Sequence, residues 1–500
     1  MRTRSKTASL SLAAPVGGLN AVDSVVRMPQ LDCLILDNFI PLPDRLVTRP
    51  GCSDWKTGFT NPVERLWIHS NLLGGESLWA TTADGVFDCS TSGAVGAAAV
   101  ALTNGKTIGL QFSTGANNYL FLVNGTDTMK QYDGASWTSV ATLGATATTN
   151  YSFIYSYRQR IFRVRKGSMN LEYLAANAIS GAPTSYTFSS IFRKGGYIVA
   201  TDSWTIDGGQ GSDDLFAIAT SQGEIAIFSG NDPATWTLKG VFTLPRPLGP
   251  RPLFKYGGDL LFLGESGIYP LSKALQSAQI DRTQNVSQKI KQLFTQASAS
   301  YFANDGWQII AQPDIPLLLV TIPATPNRFQ FCMHPETGAW TRFSGWDAYC
   351  FGRKGAQLYF GGEDKVSVVS GLSDYGANIT CTALGAYSSM SYPKKKHVKL
   401  VKPYFLADNG FSYVIGLGRD FQQNPSATTM ISGNSTDPAL WGTGIWGTAL
   451  WSGQDVVTDS WRSLPDQYSN WKAFYLQVAV NKVEVSYLGA DFRVMEGSDF

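Results

Sequence analysis

Residue types that carry catalysis are present in this chain, but not at the spacings such chemistry needs. The three histidines, His69, His334 and His397, form neither HExxH nor HxH, so no zinc site and no other metal centre is read. The cysteines Cys33, Cys52, Cys89, Cys332, Cys350 and Cys381 include no CxxC and are read as reduced, buried thiols. There is no GxSxG turn and no Walker loop. "GLGRDF" from Gly416 has too few glycines to cradle a phosphate and reads as a turn, so no cofactor is expected. One pattern stands out. "DGASWT" at Asp133, "NDPATWT" at Asn231 and "ETGAWT" at Glu336 each write an acid or its amide, a tight turn, then Trp-Thr.

These boxes measure a repeat. "PTSYTF" puts Tyr186 in the Trp place, so Trp137, Tyr186, Trp236 and Trp340 follow one another at steps of 49, 50 and 104 residues, the last close to a double step. A second pattern runs in phase with it. Apolar strand, polar turn, apolar strand recurs in "SLWATTADGVFDCS" from Ser77, "NYLFLVNGTDTMKQYDG" from Asn118 and "QRIFRVRKGSMNLEYLA" from Gln159. It returns in "DDLFAIATSQGEIAIFSG" from Asp213, "GDLLFLGESGIYPLS" from Gly258, "PLLLVTIPATPNRFQFCMHPETG" from Pro316 and "AQLYFGGEDKVSVVSG" from Ala356. Each is an antiparallel hairpin pattern.

A four-stranded unit of about 40–50 residues is a propeller blade. The expected fold is all-β: a β-propeller of six or seven blades over 63–372, with Trp137, Tyr186, Trp236 and Trp340 at the start of outer strands, packed between blades. Two stacked β-sandwiches sharing turn chemistry are the alternative. "RTQNVSQKIKQLFTQASASYFAND" breaks the rhythm: Val286, Ile290, Leu293 and Phe294 recur at helical spacing, so a helix is expected over 286–298.

Residues 1–62 read as an extended arm that crosses the ring or supplies a closing strand, with "CLILDNFI" as one apolar strand. Residues 373–500 read as a separate antiparallel, sandwich-like β-domain. Within it, 440–452 carry Trp441, Trp446 and Trp451 every five residues, a period that fits neither helix nor strand face. They form either a contact with another subunit or partner, or a loop folded onto its own domain. "YPKKKHVKLVK" is the one notable basic cluster. Lys394, Lys395 and Lys396 belong either to the solvated end of a strand or to a contact with phosphate or an acidic partner.

The formal net charge of +2 gives no sign of a nucleic-acid gripping domain. Charged residues, at 16%, are sparse against a usual ~25%, while 50 Gly and 23 Pro suit many short strands and turns. The basic N-terminus has no apolar stretch of signal-peptide type, and no run is long enough to span a bilayer as a helix.

Two resemblances follow. The boxes are similar to the Ser-x-Asp-x-Gly-x-x-Trp turns of sialidase-type propellers, though shortened. That implies a glycan-binding or glycan-cleaving alternative, whose paired carboxylates the sequence does not single out. The whole chain, taken in order, resembles the tail nozzle and packaged-DNA stabilisation proteins of short-tailed bacteriophages. "GGLNAVDSVVRMPQLDCLILDNFIPLPDRLVTRPG" resembles their opening arm, which ends in Arg-Pro before the first blade. "ESLWATTADGVFDC" resembles their first hairpin, "YCFGRKGAQLYFGGEDKVSVVSGL" their last, and "FYLQVAVNKVEVSYLGADFRV" their final strand pair. The resemblance implies a non-enzymatic homohexameric ring in the virion tail, assembled in the host cytoplasm. It would lie below the portal and adaptor rings, carry fibres, spikes or a needle, and let double-stranded DNA pass without reading its sequence. A bacterial propeller serving as an interaction module is the remaining alternative.

Overall fold

The computed structural model describes residues 7–207, 212–272, 285–312, 317–390, 394–408, 410–422, 429–432, 455–458 and 461–497. Each of the seven hairpins forms two adjacent antiparallel strands of a blade; six of the blades are sheets of their own, and the other, blade 6, continues into a ten-stranded sheet. Blade 1 is Arg65–Ser70, Glu76–Thr81, Gly85–Asp88 and Val100–Ala101; blade 2 is Ile108–Ser113, Asn118–Val123, Met129–Tyr132 and Trp137–Val140. Blade 3 is Tyr151–Tyr157, Arg160–Arg165, Asn170–Tyr173 and Thr184–Thr187. Blade 4 is Ile198–Asp207, Ser212–Thr220, Glu224–Ser229 and Thr237–Thr243. Blade 5 has three strands among the described residues, Leu253–Tyr256, Asp259–Gly264 and Gly267–Pro270. Blade 6 is Gln308–Gln312, Leu317–Ile322, Phe329–His334 and Ala339–Phe343. Blade 7 takes Cys350–Lys354, Gln357–Gly361 and Lys365–Val369, and is completed by Cys52–Thr57, which pairs antiparallel with Lys365–Val369. One strand from before the first blade thus closes the last. Blades 7 and 1 then meet so tightly that a Cβ on Gly352 would lie 2.7 Å from that of Leu66.

Middle strands lose the polar alternation of a one-faced sheet because each blade is covered on both faces. Leu317–Ile322 is buried at all six positions. The aromatic spacing has the same cause. Trp137 sits edge-on to Trp79 of blade 1, 5.2 Å between centroids, and against Tyr132 of its own blade. Trp236 stacks on Phe162 of blade 3 at 5.6 Å and on Phe216 of blade 4 at 4.9 Å, with Tyr186 beside it. Trp340 is fully buried, and its indole N–H donates to the Val286 carbonyl. The acids of the boxes make turns. Asp133 accepts from the amides of Ala135 and Ser136, and Asp232 from that of Ala234.

Helix α1 spans Lys291–Tyr301, after a 3-10 turn at Gln288–Ile290, later than the 286–298 expected. Asn285 is the reason. Its side-chain oxygen accepts from the amides of Ser287 and Ile268, and Val286 donates to the Ile268 carbonyl, so 285–287 are stitched to blade 5 in non-helical form. The helix then lies against the third strand of blade 5, with Phe294 packed on Trp307.

The two ends of the chain build one β-sandwich. One sheet places Thr7–Ala13 and Leu46–Thr48 along one side of Val485–Glu496, then Lys396–Ala407, then Asp455–Thr458 and Arg462–Ser463. The other runs outward from blade 6: Ala339–Phe343, Asp32–Asp37, Ile379–Gly385, Lys472–Val480, Ser412–Arg419 and Thr429–Ser432. Within the arm of 1–62, the strands from Thr7 to Thr48 are therefore part of the same domain as the described strands after residue 373, while Cys52–Thr57 belongs to blade 7. "CLILDNFI" is not one strand. Asn38, at φ 59, breaks it into Asp32–Asp37 and Phe39–Pro41, which belong to different sheets. "GLG" is not a turn either. Gly416 and Gly418 lie inside a strand, and a Cβ on Gly418 would come within 2.5 Å of the Tyr387 hydroxyl.

Propeller and sandwich share one apolar core, which runs from Leu263 and Leu318 in the blades through Phe294 and Trp340 to Leu36, Phe405 and Phe492. Arg49 lies at this junction, 1% exposed. Its guanidinium donates to Asn38 Oδ1 (2.9 Å), to the Pro50 and Ser344 carbonyls (2.8 and 2.7 Å), and to both oxygens of Asp374 (2.9 and 2.5 Å), and it stacks on Trp346. Lysine lacks the planar fork for this set. Arg49→Lys and Arg49→Met are expected to lose about 3–5 kcal/mol, since each leaves buried acceptors unpaired. Urea unfolding checks this, with a wild-type midpoint in either variant the opposing result.

Candidate functional site

Every inner strand starts on the same face of the ring, which also carries the links between blades. Several polar side chains converge there because each precedes or opens an inner strand: Glu64 and Arg65 for blade 1, Lys106 for blade 2, Arg251 for blade 5, Asp305 for blade 6. All of these but Arg251 border a cavity of about 350 Å3, lined by Glu64, Arg65, Lys106, Asn304, Asp305 and Arg328. Arg65 donates to Asp305 at 2.7 Å with its own side chain 1% exposed. Arg251 lies beside it, stacked on Trp67 and donating to Gln308 at 3.2 Å. Arg328 pairs with Asp347 at 3.3 Å and covers the ring of Tyr349.

Electrostatics pull the two lining carboxylates apart. Burial raises Glu64 above the usual range, with Lys106 and Arg65 opposing it. Burial also disfavours ionised Asp305, but the adjacent Arg65 guanidinium more than offsets this and holds it below its usual range. Burial, then the neighbouring Arg65 charge, pulls Arg251 down to about 9. The mouth thus combines a carboxyl biased toward its neutral form with an ionised one, among several cations. Deeper along the inner strands, Tyr155 donates to Asp202 at 2.6 Å, and Lys255 reaches Asp202 at 3.5 Å and Ser203 at 3.2 Å, tying blades 3, 4 and 5 together. No group of three His, Cys, Asp or Glu residues placed to hold a metal occurs among the described residues. All six cysteines are buried free thiols. No helix among the described residues is long and apolar enough to cross a membrane.

The residues singled out from sequence fall elsewhere. Trp137, Tyr186 and Trp236 meet aromatic rings of a neighbouring blade, Trp340 is buried against the 285–287 segment, and none of the four lines the mouth. Trp441, Trp446 and Trp451 lie outside the described residues. The basic cluster divides. Lys394 and Lys395 are exposed, but Lys396 is fully buried, its ammonium donating to the Ser389 carbonyl, and so cannot meet phosphate or an acidic partner. Lys472 lies nearby, paired with buried Asp466 and donating to the Gln467 carbonyl at 2.6 Å. The mouth residues were missed because they are far apart in sequence. Their common signal is position: once the blades are aligned, "VERLW", "PRPLF" and "ANDGWQ" all stand at inner-strand starts.

The fold defines an all-β propeller protein with an attached β-sandwich. No family model matches the chain, and no curated protein matches it in sequence. Solved structures it is similar to include BBS1N in complex with ARL6DN, at 10% identity over 66% of this chain and 100% of that one, TM-score 0.40. Another is the WD40 β-propeller domain of Doa1, at 9% identity over 64% of this chain and 95% of that one, TM-score 0.38. These are likenesses of fold.

Burial, then the neighbouring Lys472 ammonium, lowers Lys396 to about 8 from an ordinary 10.5. Between those values the unfolded chain holds the proton and the folded chain does not, so this group's own contribution to stability rises from pH 8 toward 10.5. Lys396→Met removes that titration. The variant's stability relative to wild type should fall across this window in paired thermal melts, and a pH-independent difference would contradict the assignment.

Proposed function

We propose that this chain is the nozzle subunit of a short-tailed phage tail: a structural protein that forms a homohexameric ring, prolongs the DNA channel below the adaptor, retains packaged DNA and conducts it at ejection. The observation that carries the reading is the joining of propeller and sandwich by one core and one through-running sheet, with the N-terminal arm threading both. That arrangement makes a stiff wall element, as a channel under pressure needs. It agrees with the order of arm, blades and final strand pair that the sequence shares with that family. On this reading a duplex, whose major groove alone is about 12 Å wide, passes between subunits. A net charge of +2 on 500 residues suits a wall that DNA must leave, because each phosphate held by Lys or Arg adds to the affinity. Adaptor, fibre, spike or needle proteins occupy the faces the ring presents. In purified virions, mass spectrometry is expected to find the chain in multiple stoichiometric copies per particle; its absence from virions overturns the reading.

Glu64 and Asp305, drawn toward opposite protonation states in one cavity, favour a second reading, a glycan-cleaving propeller. Turnover of host capsule or lipopolysaccharide that Glu64→Gln abolishes would support it; no turnover by wild type removes it.

A further inference from the structure

The strand Thr7–Ala13 is an edge built without the usual protections. Natural sheets blunt their edges with charge, proline, bulges or brevity. "TASLSLA" has no charge and no proline, and it pairs with Val485–Glu496 over seven residues without a register shift. Which of its backbone groups face outward follows from the ladder. Ala14 donates to the Leu488 carbonyl, continuing a register in which Ala13 faces Gly489. Antiparallel bonding alternates, so Ala8, Leu10 and Leu12 bond inward, while Thr7, Ser9, Ser11 and Ala13 turn N–H and C=O to the free side. No described strand pairs with that side. Beside the strand opens a cavity of about 190 Å3, lined by Leu12, Ala13, Leu31, Phe474, Leu476 and Tyr487, and no charged side chain lines it.

Among the described strands, the opposite edge of the same sheet is formed by Asp455–Thr458 and Arg462–Ser463, bonded to Lys396–Ala407. Every neighbouring pair from Thr7–Ala13 across to that edge is antiparallel. The two edges therefore run in opposite directions. A second copy can set its Thr7–Ala13 strand beside this edge and continue the antiparallel alternation. Such a contact joins two different surfaces, and repeated by a rotation that divides the full circle evenly it closes a ring. We propose that the free edge of Thr7–Ala13 docks by strand addition onto the Asp455–Thr458 and Arg462–Ser463 edge of a neighbouring copy, with a neighbour's apolar side chain entering the cavity beside it. This rests on the ring reading above and names its interface.

The test uses the full-length chain. Ser9→Pro removes an outward N–H and leaves the ladder to Val485–Glu496 intact. In mass photometry the wild type is expected as a multi-copy ring, and Ser9→Pro at the same concentration should show at least a tenfold loss of ring with an unchanged far-UV circular dichroism spectrum. Hydrogen exchange of the assembled wild type gives a second readout that does not depend on the variant's fold: the amides of Ser9, Ser11 and Ala13 should be protected along with those of Ala8, Leu10 and Leu12. A wild-type ring together with an equally abundant Ser9→Pro ring, or fast exchange at the outward amides within the ring, overturns the strand-addition interface alone. A wild type that stays single-copy overturns both the interface and the ring.

Discussion

The arrangement depends on a single buried guanidinium. Arg49 stands where the arm leaves the sandwich and enters the propeller, and it is bonded to the arm at Asn38 and Pro50, to the end of blade 6 at Ser344, and to the segment after blade 7 at Asp374. Burying one cation this deeply is unfavourable unless every donor finds an acceptor in good geometry. Here the acceptors come from segments far apart in sequence. The charge is therefore satisfied only when the closing strand, the last blades and the sandwich are all in place. Asn38 gives the same result from the acceptor side, since its amide also bonds Thr380 and Ser344.

Closing the ring and joining the two domains are thus one event. Cys52–Thr57 begins just after Arg49 and completes blade 7, while Asp32–Asp37 just before it extends the sheet of blade 6 into the sandwich. The bidentate pair of Arg342 and Asp37 clamps that extension at 2.7 and 2.6 Å. A propeller on a flexible linker could act as a movable binding module. This one shares its core with its neighbour, and any load on the sandwich passes directly into blades 5 and 6.

Much of the propeller was legible because its signals are local. Hairpin patterns placed all seven hairpins, and the boxes marked outer strands, since turn chemistry and blade packing repeat within one blade length. What was not legible depends on distant partners. Nothing near "CLILDNFI" announces that Asn38 turns left-handed, because the reason is Arg49 and Thr380. Lys396 looks like its exposed neighbours in sequence and is buried only because the 464–469 segment folds over it. The pairing of the arm with the last strand spans nearly the whole chain. The polar mouth was hidden for the same reason. Glu64 and Asp305 are ordinary acids until the ring brings blades 1 and 6 to one cavity.

The most direct measurement is an electron cryomicroscopy map of the tail of the short-tailed phage proposed to carry this chain. The account predicts six copies about the tail axis, each with its seven-bladed propeller joined to its sandwich as one body, and DNA density running between the copies rather than through any propeller. A tail without the chain, or a map in which propeller and sandwich take independent orientations, would contradict it.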